Sequence, residues 1–198
     1  MTTHIALLRG VNVGGRQLPM AELREAVAAL GYGDVSTYIQ SGNVLFSART
    51  GDGDSRGGDG DAAASDALAA ALESGLASQL GWPVRLIVRS AAALAEVVSG
   101  NPYPDPPEPK YVHGAFLRSA PGPEVAAAVA RAVRVAAATG GRDEATLIGR
   151  TLYLHTPDGF GTSDLAKALL AKRTSPVADA TARNWNTITK LLGLLGAG

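Results

Sequence analysis

The feature that most constrains this chain is an order of elements that occurs twice. Residues 4–8 form a short apolar run stopped by Gly10, which reads as a buried strand. Met20, Leu23, Val27 and Leu30 follow at helical spacing behind Pro19, whose missing N–H costs nothing in a first helical turn, and Gly31 supplies the stop. Residues 35–39 and 43–46 flank Gln40-Ser41-Gly42, a short glycine-containing link that predicts a β-hairpin. Leu68, Leu72, Leu76 and Leu80 recur every four residues in a second helix, capped by Ser65 or Asp66 and ended by Trp82-Pro83. Residues 84–88 make a fourth strand. Strand, helix, strand, strand, helix, strand is the order of a ferredoxin-like unit, in which two helices cover one face of a four-stranded antiparallel sheet.

The same order restarts at Tyr111: a strand over 111–117, an Ala-rich helix over 124–138, a hairpin over 145–155 around Gly149-Arg150, a helix over 163–171 and a weak strand over 177–181. A last helix over 183–195 carries Trp185, Ile188, Leu192 and Leu195 on one face. The expected fold class is therefore α+β: two ferredoxin-like halves with antiparallel sheets plus an extra C-terminal helix. Residues 1–89 form the first half, 90–110 a helix and proline-rich connector, and 111–198 the second half. Residues 48–63, rich in Gly and Asp, read as a flexible insertion in the first half.

In a ferredoxin-like sheet the first and third strands are antiparallel neighbours, so the end of one lies beside the start of the other. That places Arg9, Gly10 and Asn12 near Gln40, Ser41, Gly42 and Asn43, where backbone at strand ends is free to touch a ligand. Arg9 offers a planar fork of donors, the glycines admit close approach, and the following helix adds partial positive charge, so a small anionic or polar ligand fits. In this reading Asn12 and Asn43 orient it. The alternative is structural: Arg9, Asn12 and Asn43 satisfy buried backbone groups and tie loop to hairpin. Residues 9–15 match neither the P-loop nor the dinucleotide fingerprint.

These residues also carry a family resemblance. Leu7 to Gly15 (LLRGVNVGG), Met20 to Arg24, Thr37 to Val44 (TYIQSGNV) and Thr181 to Thr187 (TARNWNT) resemble the signature blocks of a bacterial family, domain of unknown function 1697. The resemblance implies paired α+β subdomains and no established activity, substrate or cofactor. The insertion at 48–63 departs from the pattern, as do Thr162 and Asp164 where basic residues are common.

Arg183, Asn186, Thr187 and Lys190 fall on one side of the last predicted helix, a second candidate surface for nucleic-acid phosphates or a protein partner. A solvated or docking face is the competing reading, and with 18 basic and 18 acidic residues no global field favours nucleic acid. Gly159-Phe160-Gly161-Thr162-Ser163 precedes a helix and reads first as an N-cap. Three histidines in unrelated contexts make a poor metal site. Asp52, Asp54, Asp59 and Asp61 fail the EF-hand pattern, because Arg56 and Ala63 stand where oxygen ligands are needed. Tyr38 and Ser41 have no acid or base nearby in sequence, so no reaction, cofactor or metal is assigned. The absence of cysteine suits a reducing compartment, and no apolar run approaches a signal or spanning segment, so the expectation is a cytoplasmic protein without a membrane partner.

Overall fold

The computed structural model describes residues 2–12, 17–48, 59–103, 108–171 and 174–196. It divides into two compact units, Met1–Glu96 with Lys190–Gly198, and Val97–Thr189.

The first runs β1 (His4–Arg9), α1 (Met20–Ala29), β2 (Gly33–Tyr38), β3 (Asn43–Ser47), α2 (Asp59–Leu80) and β4 (Arg85–Ser90), followed by α3 (Ala91–Ser99). The strands pair antiparallel in the order β2-β3-β1-β4. Side chains alternate across a strand, so Ala6, Leu8, Val44, Phe46, Leu86 and Val88 share one face. They are buried in one cluster with Leu23 and Val27 of α1 and Leu68, Leu72 and Leu76 of α2. The leucine spacing read from sequence is thus the stripe by which α2 covers the sheet, each such side chain contributing about 1.5–3 kcal/mol of transfer free energy.

One boundary in this unit differs from expectation. Residues 59–63, expected inside the flexible insertion, are the first turn of α2; residues 49–58 of that stretch lie outside the described residues. A physical reason is Asp61, buried at 8% exposure, which accepts a hydrogen bond from Ser90 Oγ at 2.9 Å. Good helix formers follow in Ala62, Ala63 and Ala64. Ser90 Oγ in turn accepts from Ala93 N at 3.1 Å, so α3 starts directly after β4.

The second unit holds β5 (Val112–Phe116), α4 (Pro123–Ala138), β6 (Glu144–Ile148), β7 (Thr151–His155), α5 (Asp164–Ala166) running into a π-helical turn (Lys167–Ala171), and β8 (Thr181–Asn184). Then comes α6 (Trp185–Gly196), which passes from the second unit into the first. The strand order is β6-β7-β5-β8, again antiparallel throughout. Ala115, Leu152 and Leu154 pack with Val129, Leu165 and Leu169. Both units are therefore ferredoxin-like.

The weak strand expected at 177–181 is displaced to Thr181–Asn184, and the last helix starts at Trp185 instead of Arg183. Val177 is drawn into the core as part of a turn, its N–H donating to Leu169 O at 3.2 Å and its carbonyl accepting from Ala180 N at 2.9 Å. Asn184 Oδ1 accepts from Asn186 N at 3.1 Å, which ends the strand and begins the helix.

Candidate functional site

Leu7 pairs with Asn43, and Leu8 N donates to Gly42 O at 2.8 Å, so the end of β1 lies beside the start of β3. Arg9, Asn12, Gln40, Ser41 and Asn43 accordingly gather at one end of the first sheet. Residues 13–16, including Gly14 and Gly15, lie outside the described residues.

The two asparagines are fasteners. Asn12, at φ +57°, donates through Nδ2 to Gln40 O at 2.7 Å and Leu18 O at 3.2 Å, and its Oδ1 accepts from Leu18 N at 2.7 Å. One short side chain thereby clasps the loop, the approach to α1 and the hairpin turn; asparagine suits the place because it tolerates the left-handed region better than most residues. Asn43 is fully buried and donates from Nδ2 to Tyr38 O and Ser41 Oγ, both at 3.0 Å. Gly42, at φ +71°, closes the arrangement: a Cβ there would sit 2.5 Å from Val11 Cγ2 and 2.8 Å from Leu8 Cβ. The amide groups expected to orient a ligand are spent on backbone and on Ser41. Arg9, Gln40 and Ser41 are exposed beside them, together with Ile39, half exposed at φ +50°.

The structure adds a residue the sequence reading missed. Arg9 pairs directly with Arg85 across β1 and β4. Paired positions share a side and side chains alternate, so Tyr38, Asn43, Arg9 and Arg85 leave the sheet on the same side. Directly opposed like charges disfavour the sheet by about 0.2–1 kcal/mol. Glu73 offsets part of this: its Oε2 lies 3.5 Å from Arg85 Nη1 and its Oε1 accepts from Leu86 N at 3.0 Å. The available signal was topological, since antiparallel β1 and β4 bring the start of one beside the end of the other.

The second candidate surface comes apart. Arg183 sits in β8, 9% exposed, donating from Nη1 to Ala182 O at 2.9 Å, and burial lowers its pKa to about 10. Asn186 and Lys190 are exposed on α6, one turn apart, without it.

Ser163 is a helix cap, its Oγ accepting from Ala166 N at 2.9 Å and donating to Asp143 Oδ2 at 2.7 Å. Lys167 Nζ donates to Thr162 O at 2.9 Å and lies 3.3 Å from Asp164 Oδ1. Asp52 and Asp54 lie outside the described residues, and Asp61 is committed to Ser90. His113 pairs with Leu154 and His155 with Val112, so the two histidines leave opposite faces of their sheet. His113 stacks on Phe160 at 4.1 Å, its Nε2 is 3.4 Å from Asn184 Nδ2, and its Nδ1 is buried with no hydrogen-bond partner among the described residues. Desolvation pushes its pKa down to about 4. Among the described residues no group of three or more His, Asp or Glu is placed to hold a metal ion, and no helix is long and apolar enough to cross a membrane.

The conserved bacterial protein SP0830 from Streptococcus pneumoniae has a similar fold: TM-score 0.64, 22% sequence identity, 99% of each chain covered. Curated proteins give no match. The sequence model of a family described as "Protein of unknown function (DUF1697)" matches residues 1–153. With more than half of the chain matched, this protein belongs to the DUF1697 family.

Proposed function

We propose that the first unit binds a small anionic ligand at the loop end of its sheet, acting in the cytoplasm as a binding module to which no reaction is assigned. The observation that carries this reading is the cross-strand pair Arg9 and Arg85. Two guanidinium groups rising from opposed positions on one side of the sheet are best neutralised by an anion that accepts from both, a match for the planar fork of each. Exposed Gln40 and Ser41 would supply neutral donors, and Asn12 and Asn43 would hold the turns in place without touching the ligand. The absence of cysteine supports the reducing compartment. A nucleic-acid or protein partner on α6 has less support, because Arg183 is buried and only Asn186 and Lys190 remain exposed.

The test is a thermal-shift titration with inorganic phosphate, pyrophosphate and phosphorylated metabolites. Arg9→Ala and Arg85→Ala should melt within a few degrees of the parent while losing the ligand-induced shift. A large loss of stability in either variant, with no anion shifting the parent protein, overturns the proposal.

A further inference from the structure

A strand at the edge of a sheet leaves the N–H and C=O groups of alternate residues without a partner strand, and the two units treat this liability differently. In the first, the edge strand β2 is blunted: its register against β3 shifts between Gly33 and Ser36, and exposed Asp34 lies at φ +50°. The strand at the same place in the second unit, β6, has no such break. Its residues from Glu144 to Ile148 pair with β7 in unbroken register, and β7 is its one partner among the described strands. Ile148 and Thr151 flank the two-residue turn Gly149-Arg150 and so form a hydrogen-bonded pair. By alternation Ala145 and Leu147 turn their N–H and C=O groups outward, placed symmetrically about Thr146.

We infer that β6 is a self-association edge: two copies of this chain pair β6 with β6 antiparallel about a two-fold axis at Thr146, joining their second-unit sheets into one. In that register Ala145 of each copy exchanges N–H and C=O bonds with Leu147 of the other. Glu144 comes opposite Ile148, so no carboxylate opposes a carboxylate, and Ile148, 45% exposed, is partly covered. A second copy is the occupant because a two-fold contact needs one surface that matches itself, and this strand meets its own outward positions in reverse. A second element agrees. The helix α4 packs beside β6, and its solvent side carries exposed Ala127, Ala130 and Ala138 together with Val135, 59% exposed. The axis that pairs the strands sets the two α4 helices antiparallel and brings them toward each other. Small side chains let helices approach to about 8–10 Å, and exposed Glu124 near one end of each helix is carried toward exposed Arg134 of the other.

Sedimentation of the full chain up to about 1 mM should show a monomer–dimer equilibrium with a dissociation constant in the micromolar range, as an interface of small area implies. Ala145→Pro removes an outward donor and leaves the bonds to β7 in place. It should melt within a few degrees of the parent and weaken the dimer about tenfold or more. Because the chain has no cysteine, one introduced thiol reports the register directly. Thr146→Cys meets its own copy at a non-hydrogen-bonded site, where Cα atoms lie about 4.5 Å apart, and should form a disulfide-linked dimer on mild oxidation. Glu144→Cys, about 14 Å from its copy along the paired strands, should not. A monomer at every concentration overturns the inference. So does a dimer that Ala145→Pro leaves intact and Thr146→Cys fails to lock.

Discussion

Replacing Gly42 by Ala tests whether the clasp between hairpin and loop depends on close approach as well as on backbone conformation. Gly10, two residues beyond Leu8 in the same cluster, is the internal control. Both have positive φ, +71° and +67°, but a Cβ at Gly10 meets nothing within 4 Å, whereas at Gly42 it falls 2.5 Å from Val11 Cγ2 and 2.8 Å from Leu8 Cβ. An L-residue in the left-handed region costs about 1–2 kcal/mol, partly offset by about 0.4–1 kcal/mol from the stiffer unfolded chain, leaving roughly 1 kcal/mol for Gly10→Ala. Gly42→Ala carries the same term plus overpacking of about 1–3 kcal/mol, since the Leu8 Cβ is fixed to a central strand and cannot swing away. The expected totals are about 1 and about 2–4 kcal/mol. Urea unfolding followed by the fluorescence of half-buried Trp82, a residue of the first unit, reads the difference. For a unit of this size the slope is about 1–2 kcal/mol per molar urea, so the Gly42→Ala midpoint should fall roughly 0.5–3 M further than that of Gly10→Ala. Equal midpoints for the two variants would refute the reasoning, because the overlap would then be costless.

Other outcomes follow from the same geometry. Asn43→Ala removes the donor to Tyr38 O and Ser41 Oγ from a fully buried position and should cost about 1–3 kcal/mol in the same unfolding assay. A cost below about 0.5 kcal/mol would show that those acceptors find other partners. His113 has a folded pKa of about 4 against 6.5 when unfolded, so the unfolded chain binds more protons between these values. Stability is therefore full above pH 6.5, is lost as pH falls through that window, and flattens below about pH 4, by up to roughly 3 kcal/mol. His113→Gln should flatten that segment of the stability profile; an unchanged slope would exclude His113 as its source. The arginine variants described above complete the set.

How legible the molecule was depended on which residues carried a period. The sheets and the covering helices could be read because Leu68, Leu72, Leu76 and Leu80 mark a helical stripe and because strand order fixes which ends adjoin. The five-residue cluster was legible for the same topological reason. What sequence could not show was the state of each side chain: Asn12 and Asn43 look identical in type to ligand-orienting amides, and only their partners reveal them as fasteners. Arg85 was hidden because nothing at its own position marks it; its meaning comes from Arg9 across the strand pair. Arg183 misled because the helix signal of Trp185, Ile188 and Leu195 extends backward over a strand residue, and the cap at Asn184 is a single side-chain bond.

The clasp made by Asn12 has a consequence for how the chain avoids misassembly. Two sheets with one strand order in one polypeptide invite a hairpin to dock on the wrong first strand while both are still forming. Residues 4–9 and 113–118 share the run His-x-Ala-x-Leu-Arg, and counted from it the counterpart of Asn12 is Pro121, which has neither a side-chain amide nor an N–H. A β2–β3 hairpin laid on β5 would leave Gln40 O without its 2.7 Å donor, and one laid on β1 keeps it. The bond therefore favours pairing of the β2–β3 hairpin with β1 over its pairing with β5.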